Sequence, residues 1–197
     1  MPRRSPAAPS PPQRLSLPRI IRPALLLAAA LLPGTVQAQA SLPAPVTIFI
    51  VRHAEKVSIT GDPSLNKAGR QRAEALARVL GDARVSQVYI TEYKRTMETA
   101  KPLSEDTKLA ITRMGARQVD SLVASLRLLA PGTRALVVSH SNIVPLIVER
   151  LTGERIAEIT EWDYDRLYLV TLQGEGLGSL MYLHYGAPNP RGDMMRE

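Results

Sequence analysis

The chain has 197 residues, 45% of them apolar, no cysteine and a formal charge of +7. That length fits one domain with a sizeable core, the apolar share excludes a disordered chain, and the lack of cysteine excludes a disulfide framework or a lipobox. The basic excess does not point to nucleic acid as a partner: Arg3, Arg4, Arg14, Arg19 and Arg22 precede residue 41 in a stretch without acids, and the remainder holds 20 basic and 18 acidic residues, a net +2.

Residues 1–40 read as a signal peptide. A basic, Pro-rich start is followed by the apolar run Ala24 to Leu32, by Pro33-Gly34 and by small residues that predict cleavage after Ala38 or Ala40. Nine apolar residues are too few for a bilayer core, which needs roughly 20. The expectation is a mature domain, residues 41–197, that is periplasmic or secreted and keeps no stable membrane anchor after cleavage.

Val46 to Val51 is β-branched and apolar, as a strand buried on both faces of a parallel sheet requires. The turn signal Gly61-Asp62-Pro63 follows, then helical spacing over residues 67–80. Further along, Val85–Ile90 predicts a strand, Lys94–Ser104 a helix, Leu109–Thr112 a short strand and Arg117–Leu129 a helix. Arg134–Ser139 predicts another buried strand, and Ile143–Leu151 a helix that tolerates Pro145 in its first turn. Leu167–Leu172 and Leu180–Leu183 read as a closing hairpin, with Trp162, Tyr164 and Tyr168 packed on it. Strands alternating with helices give an α/β three-layer sandwich around a largely parallel central sheet.

In such sheets ligands collect at the carboxyl ends of the strands. The first strand ends at Arg52-His53, the second leads to Thr91 with Arg95 beyond it, and the strand from Arg134 ends at His140. A neutral imidazole offers a nucleophilic nitrogen, and arginine forks neutralise phosphoryl oxygens. Arg52 and Arg95 are therefore candidates for a phosphate clamp, with Lys94 the rival for the second position. Helix starts near Lys94 and Asn142 would add backbone donors. A zinc site from His53, His140 and Glu55 is disfavoured, because two neighbouring arginines repel a cation.

These residues carry a family resemblance. Arg52-His53-Ala54-Glu55 after an apolar strand resembles the signature of the histidine phosphatase (phosphoglycerate mutase-like) superfamily, here a small exported bacterial member. Leu65-Asn66-Lys67-Ala68-Gly69-Arg70 resembles the family's Leu-Thr-x-x-Gly segment. Thr91 to Ala100 is similar to its Ser-x-x-x-Arg-x-x-x-Thr-Ala segment, and Val137 to Asn142 to its second-histidine motif. The resemblance spans residues 46–150. It implies a phosphoglycerate mutase-like fold and a phosphohistidine intermediate on His53. It further implies a pocket completed by Arg52, Arg95 and His140, with His140 donating to a phosphoryl oxygen or the leaving group. No metal or organic cofactor is required. Weaker substrate-binding assignments go to Glu55, Ser141 and Asn142.

The sequence departs from the family at the general acid. Many members place a glutamate after the strand that follows the second arginine, where this chain reads Ile111-Thr112-Arg113-Met114-Gly115. Asp120, Glu105, Asp106, Glu161 and Asp163 are the neighbouring carboxylates, and the acid stays unassigned. The expected function is hydrolysis of a phosphomonoester, phosphohistidine or acyl phosphate. A small phosphorylated molecule or a phosphoprotein is the partner, and a labile leaving group is favoured. The alternative is an inactive anion-binding module of the same fold.

Overall fold

The computed structural model describes residues 43–189; the predicted signal segment, its cleavage points and the Met194-Met195 tail lie outside them. The elements are β1 (Val46–Arg52), α1 (Lys67–Leu80), β2 (Gln87–Ile90), α2 (Lys94–Thr107), β3 (Ile111–Arg113), α3 (Val119–Arg127), β4 (Arg134–Ser139), α4 (Val144–Thr152), β5 (Arg166–Leu172) and β6 (Ser179–His184). They build one six-stranded sheet in the order β3-β2-β4-β1-β5-β6. The pairs β3–β2, β2–β4 and β4–β1 are parallel, while β5 and β6 add an antiparallel hairpin at one side.

Alternation along β1 explains the layers. Ile48 and Ile50 face a cluster built with Val123 and Leu126 of α3 and Ile147, Val148 and Leu151 of α4. Phe49 and Val51 face the opposite cluster, with Leu76 and Leu80 of α1 and Ala100 and Leu103 of α2. A central parallel strand is covered on both sides, so it reads as an unbroken apolar run rather than an alternating one. The α/β sandwich predicted from the sequence is the observed fold.

Boundaries differ where side chains redirect the backbone. β3 starts at Ile111 rather than Leu109, because Lys108 takes a left-handed conformation (φ 57°) and Leu109 closes α2 by donating to the Ser104 carbonyl at 3.1 Å. The third helix starts at Val119 rather than Arg117. There Gln118 folds back on Gly115, accepting its N–H at 2.9 Å, and residues 115–118 become a turn that faces the site. Tyr168 packs on Tyr182 of the hairpin as expected, with ring centroids 5.6 Å apart. Tyr164 does not join them; its ring lies against Arg52.

Candidate active site

The parallel pairing of β1 with β4 sets Arg52 beside Ser139, and the ladder continues as the His53 N–H donates to the Ser139 carbonyl at 2.9 Å. Both strands stop at this point, so His53 and His140 meet with ring centroids 5.4 Å apart. β2 stops in register beside them, and α2 brings Arg95 in from its first turn. The structure brings Arg52, His53, Arg95 and His140 together on one pocket of about 670 Å³, with Ser141 and Asn142 on its wall. Arg95 lines that pocket and Lys94 does not.

Hydrogen bonding fixes the tautomer of His53. Its Nδ1 lies 2.8 Å from the Ala54 carbonyl oxygen, which can only accept. The proton therefore sits on Nδ1, and the lone pair sits on Nε2. The Ala54 peptide is itself held, its N–H donating to Thr99 Oγ1 at 2.9 Å while that hydroxyl donates to the Arg95 carbonyl at 2.7 Å. Thr99 is fully buried one helical turn after Arg95, so a single helix positions the arginine and braces the histidine.

His140 is oriented through a second chain. A guanidinium only donates, so the contact of Arg95 with Nδ1 at 3.5 Å makes that nitrogen the acceptor. The Nε2–H then donates to Thr91 Oγ1 at 2.9 Å, Thr91 to Thr96 Oγ1 at 3.1 Å, and Thr96 to the Tyr93 carbonyl at 2.8 Å. Both imidazoles are buried and held neutral. Desolvation, then the neighbouring Arg52 and Arg95 charges and repulsion from His140 where both rings are protonated, lowers His53 to about 3 against an opposing hydrogen bond to Ala54. Desolvation followed by Arg95 lowers His140 to about 4.

The arginines are anchored by loops from distant parts of the chain. Arg52 donates to the Thr160 carbonyl at 2.5 Å and to Glu161 Oε2 at 3.2 Å, and its guanidinium lies 4.1 Å from the centroid of the Tyr164 ring. Arg95 stacks on Tyr93 at 4.2 Å and reaches Asp62 at 3.5 Å. The Nε atoms of both arginines are buried without a hydrogen-bond partner among the described residues. The α2 amino terminus supplies less than expected, since the Lys94 N–H already donates to Asp62 Oδ1 at 3.0 Å.

Glu55 is not part of this pocket. It holds the buried Arg72 through Oε1 at 2.7 Å, and Arg72 in turn donates to the carbonyls of Tyr185 and Ala187. The pair ties the loop after β1 to the chain after β6. Gly69 permits this packing, because a Cβ there would stand 2.1 Å from the Glu55 carbonyl oxygen. Two carboxylates do line the pocket. Glu161 is ion-paired with Arg52 and, at 3.7 Å, with Lys56. Glu92, which sequence reasoning passed over, accepts the Ala116 N–H at 2.8 Å and so bridges the loops after β2 and β3. Its place directly after Thr91 at a strand end was the signal that could have found it.

Residues 48–116 match the model of the histidine phosphatase superfamily, branch 1. Over 66 residues the chain is 36% identical to 6-phosphofructo-2-kinase/fructose-2,6-bisphosphatase 4 of Homo sapiens and of Macaca fascicularis. That stretch is 30% of this chain and 14% of those proteins, so the chain spans a small part of the curated relatives it matches. The fold is similar to that of the protein histidine phosphatase SixA complexed with tungstate (TM-score 0.59, 21% identity, 70% of this chain and 96% of that one). It is also similar to phosphoglycerate mutase from Plasmodium falciparum (TM-score 0.53, 18% identity, 74% and 95%). The architecture is therefore phosphoglycerate mutase-like.

Proposed function

We propose that the domain is a histidine phosphatase of this superfamily and hydrolyses phosphomonoesters or related phosphoryl donors through a phosphohistidine on His53. The observation that carries the reading is the Nδ1–H of His53 donated to Ala54, which leaves the Nε2 lone pair free to attack in a pocket of arginines. The family match over residues 48–116 supports it.

In the first step Nε2 bonds to phosphorus as the bond from phosphorus to the leaving oxygen breaks. Arg52 and Arg95 balance the charge on the equatorial oxygens, a contribution typically worth a few kcal/mol of barrier for each donor. A dianionic phosphoryl group beside His140 raises its basicity, so that Nδ1 takes up a proton and passes it to the leaving oxygen. In the second step water attacks phosphorus and gives a proton to Nδ1 of His140, the bond from phosphorus to Nε2 breaks, and His53 returns to its neutral form as inorganic phosphate leaves. The chemistry proceeds on side chains alone. A low-pKa leaving group suits a site in which both pocket carboxylates are already engaged.

Residues 1–40 support a location for this activity: a mature domain, residues 41–197, exported to the periplasm or beyond. Purified mature protein should release p-nitrophenol from its phosphate, with His53→Ala reducing kcat by more than about a thousandfold. A wild-type protein that binds orthovanadate yet turns over neither aryl, acyl nor histidyl phosphates would instead be an anion-binding module.

A further inference from the structure

Beside the phosphate pocket runs a second cleft, of about 510 Å³, lined by Val57, Ile59, Trp162 and Tyr164. The two spaces share Lys56 and Glu161, whose ion pair at 3.7 Å stands at their common boundary. Large apolar side chains exposed singly need no explanation, but these line one cleft at the mouth of a polar site. Val57 is 63% exposed, Ile59 86% and Trp162 46%.

The two segments that carry these side chains are tethered to the body of the fold. The loop carrying Val57 and Ile59 is closed at its base by the Lys56–Leu65 bridge and by the Val57 N–H donated to the Ser64 carbonyl at 3.0 Å. Farther along, Asp62 ties the same loop to Arg95 and to the start of α2. From the other side the segment of Trp162 and Tyr164 is fixed to Arg52, which binds the Thr160 carbonyl and stacks on the Tyr164 ring. Each wall of the cleft is thus tethered to one of the two phosphate-pocket arginines.

We propose that this cleft holds the apolar part of the substrate, so that the site takes organic phosphomonoesters whose leaving group is a hydrophobic phenol, an aryl phosphate with or without an alkyl substituent. The inference rests on the phosphatase reading, because it needs a phosphoryl group between Arg52 and Arg95. The esterified oxygen then points across the Lys56–Glu161 boundary, and the hydrocarbon lies on Val57, Ile59 and Trp162. Burial of apolar surface supplies the selectivity; a fully buried methylene corresponds to about fourfold in affinity, and a half-open cleft to about twofold.

Binding of n-alkylphosphonates tests this independently of turnover, since their carbon–phosphorus bond is not hydrolysed. Calorimetry with ethyl-, butyl-, hexyl- and octylphosphonate, below micelle-forming concentrations, should show affinity rising at least tenfold from ethyl to octyl. The octyl-to-ethyl ratio should fall towards one in Ile59→Ser and in Trp162→Ser. A wild-type affinity independent of chain length overturns the proposal, as does a ratio that survives both substitutions. Dephosphorylation of a phosphohistidine protein combined with a flat phosphonate series also overturns it, by assigning the mouth to a protein substrate. Failure of the phosphatase reading looks different: no phosphoryl donor is hydrolysed, whatever the phosphonates do.

Discussion

Arg52 and Glu161 are paired at 3.2 Å although one is nearly buried and the other 61% exposed. The glutamate occupies a guanidinium that the proposed reaction assigns to the phosphoryl group, and Lys56 also pairs with it at 3.7 Å. Glu161→Gln removes a competing anion while keeping the side-chain shape. Exposed pairs are worth less than about 1 kcal/mol, so orthovanadate inhibition should tighten two- to fivefold. Inhibition constants measured at low and high salt check this, with the gain shrinking as salt rises.

The two neutral histidines make stability depend on pH with a defined sign. Below the ordinary imidazole value of ~6.5 the unfolded chain takes up protons at positions 53 and 140 that the folded chain refuses. Stability is thus highest above that value and falls as pH drops, until the native rings protonate near about 4 for His140 and about 3 for His53. Urea midpoints between pH 7 and 4.5 should decline more steeply in the wild type than in His53→Asn.

Glu55 carries a stability role. Removing its charge leaves Arg72 buried with an uncompensated guanidinium, a change that typically costs 3–5 kcal/mol. Glu55→Gln should lower the thermal midpoint markedly, while the folded fraction at low temperature keeps its affinity for orthovanadate.

Thr99 braces the Ala54 peptide beside His53, the proposed nucleophile, from outside the pocket lining. Thr99→Val keeps the shape but leaves the Ala54 N–H unpaired in a buried position, at a cost of about 1–3 kcal/mol. As a positioning residue it should affect kcat more than KM, with Thr99→Ser restoring most of the loss. A drop in stability with kcat unchanged at low temperature would make it structural only.

Much of the architecture was legible in the sequence because the relevant signals are local. The apolar run of β1 demands two covered faces, and Arg52, His53 and His140 end their strands where ligands collect. The general position of Arg95 followed from the same rule. What stayed hidden depends on long-range contacts. Glu55 sits two residues after His53, yet it pairs with Arg72, which the Tyr185 and Ala187 carbonyls hold at another surface. Tyr164 reads as one more hairpin aromatic until Arg52 is seen stacked on it. Glu92 accepts from Ala116 within a turn at residues 115–118 that Gln118 closes by folding back on Gly115, and both line the pocket. No periodicity encodes such a contact.

The most direct test of the central claim is to trap the phosphoenzyme. Purified protein mixed with a phosphate-radiolabelled aryl or acyl phosphate and quenched within milliseconds should carry covalent label that is lost in acid and kept in alkali, as a phosphorus–nitrogen bond on imidazole behaves. The label should be absent from His53→Asn and should map to His53 in the wild type. Turnover without any trapped label, or label that persists in His53→Asn, would contradict a phosphohistidine on this residue.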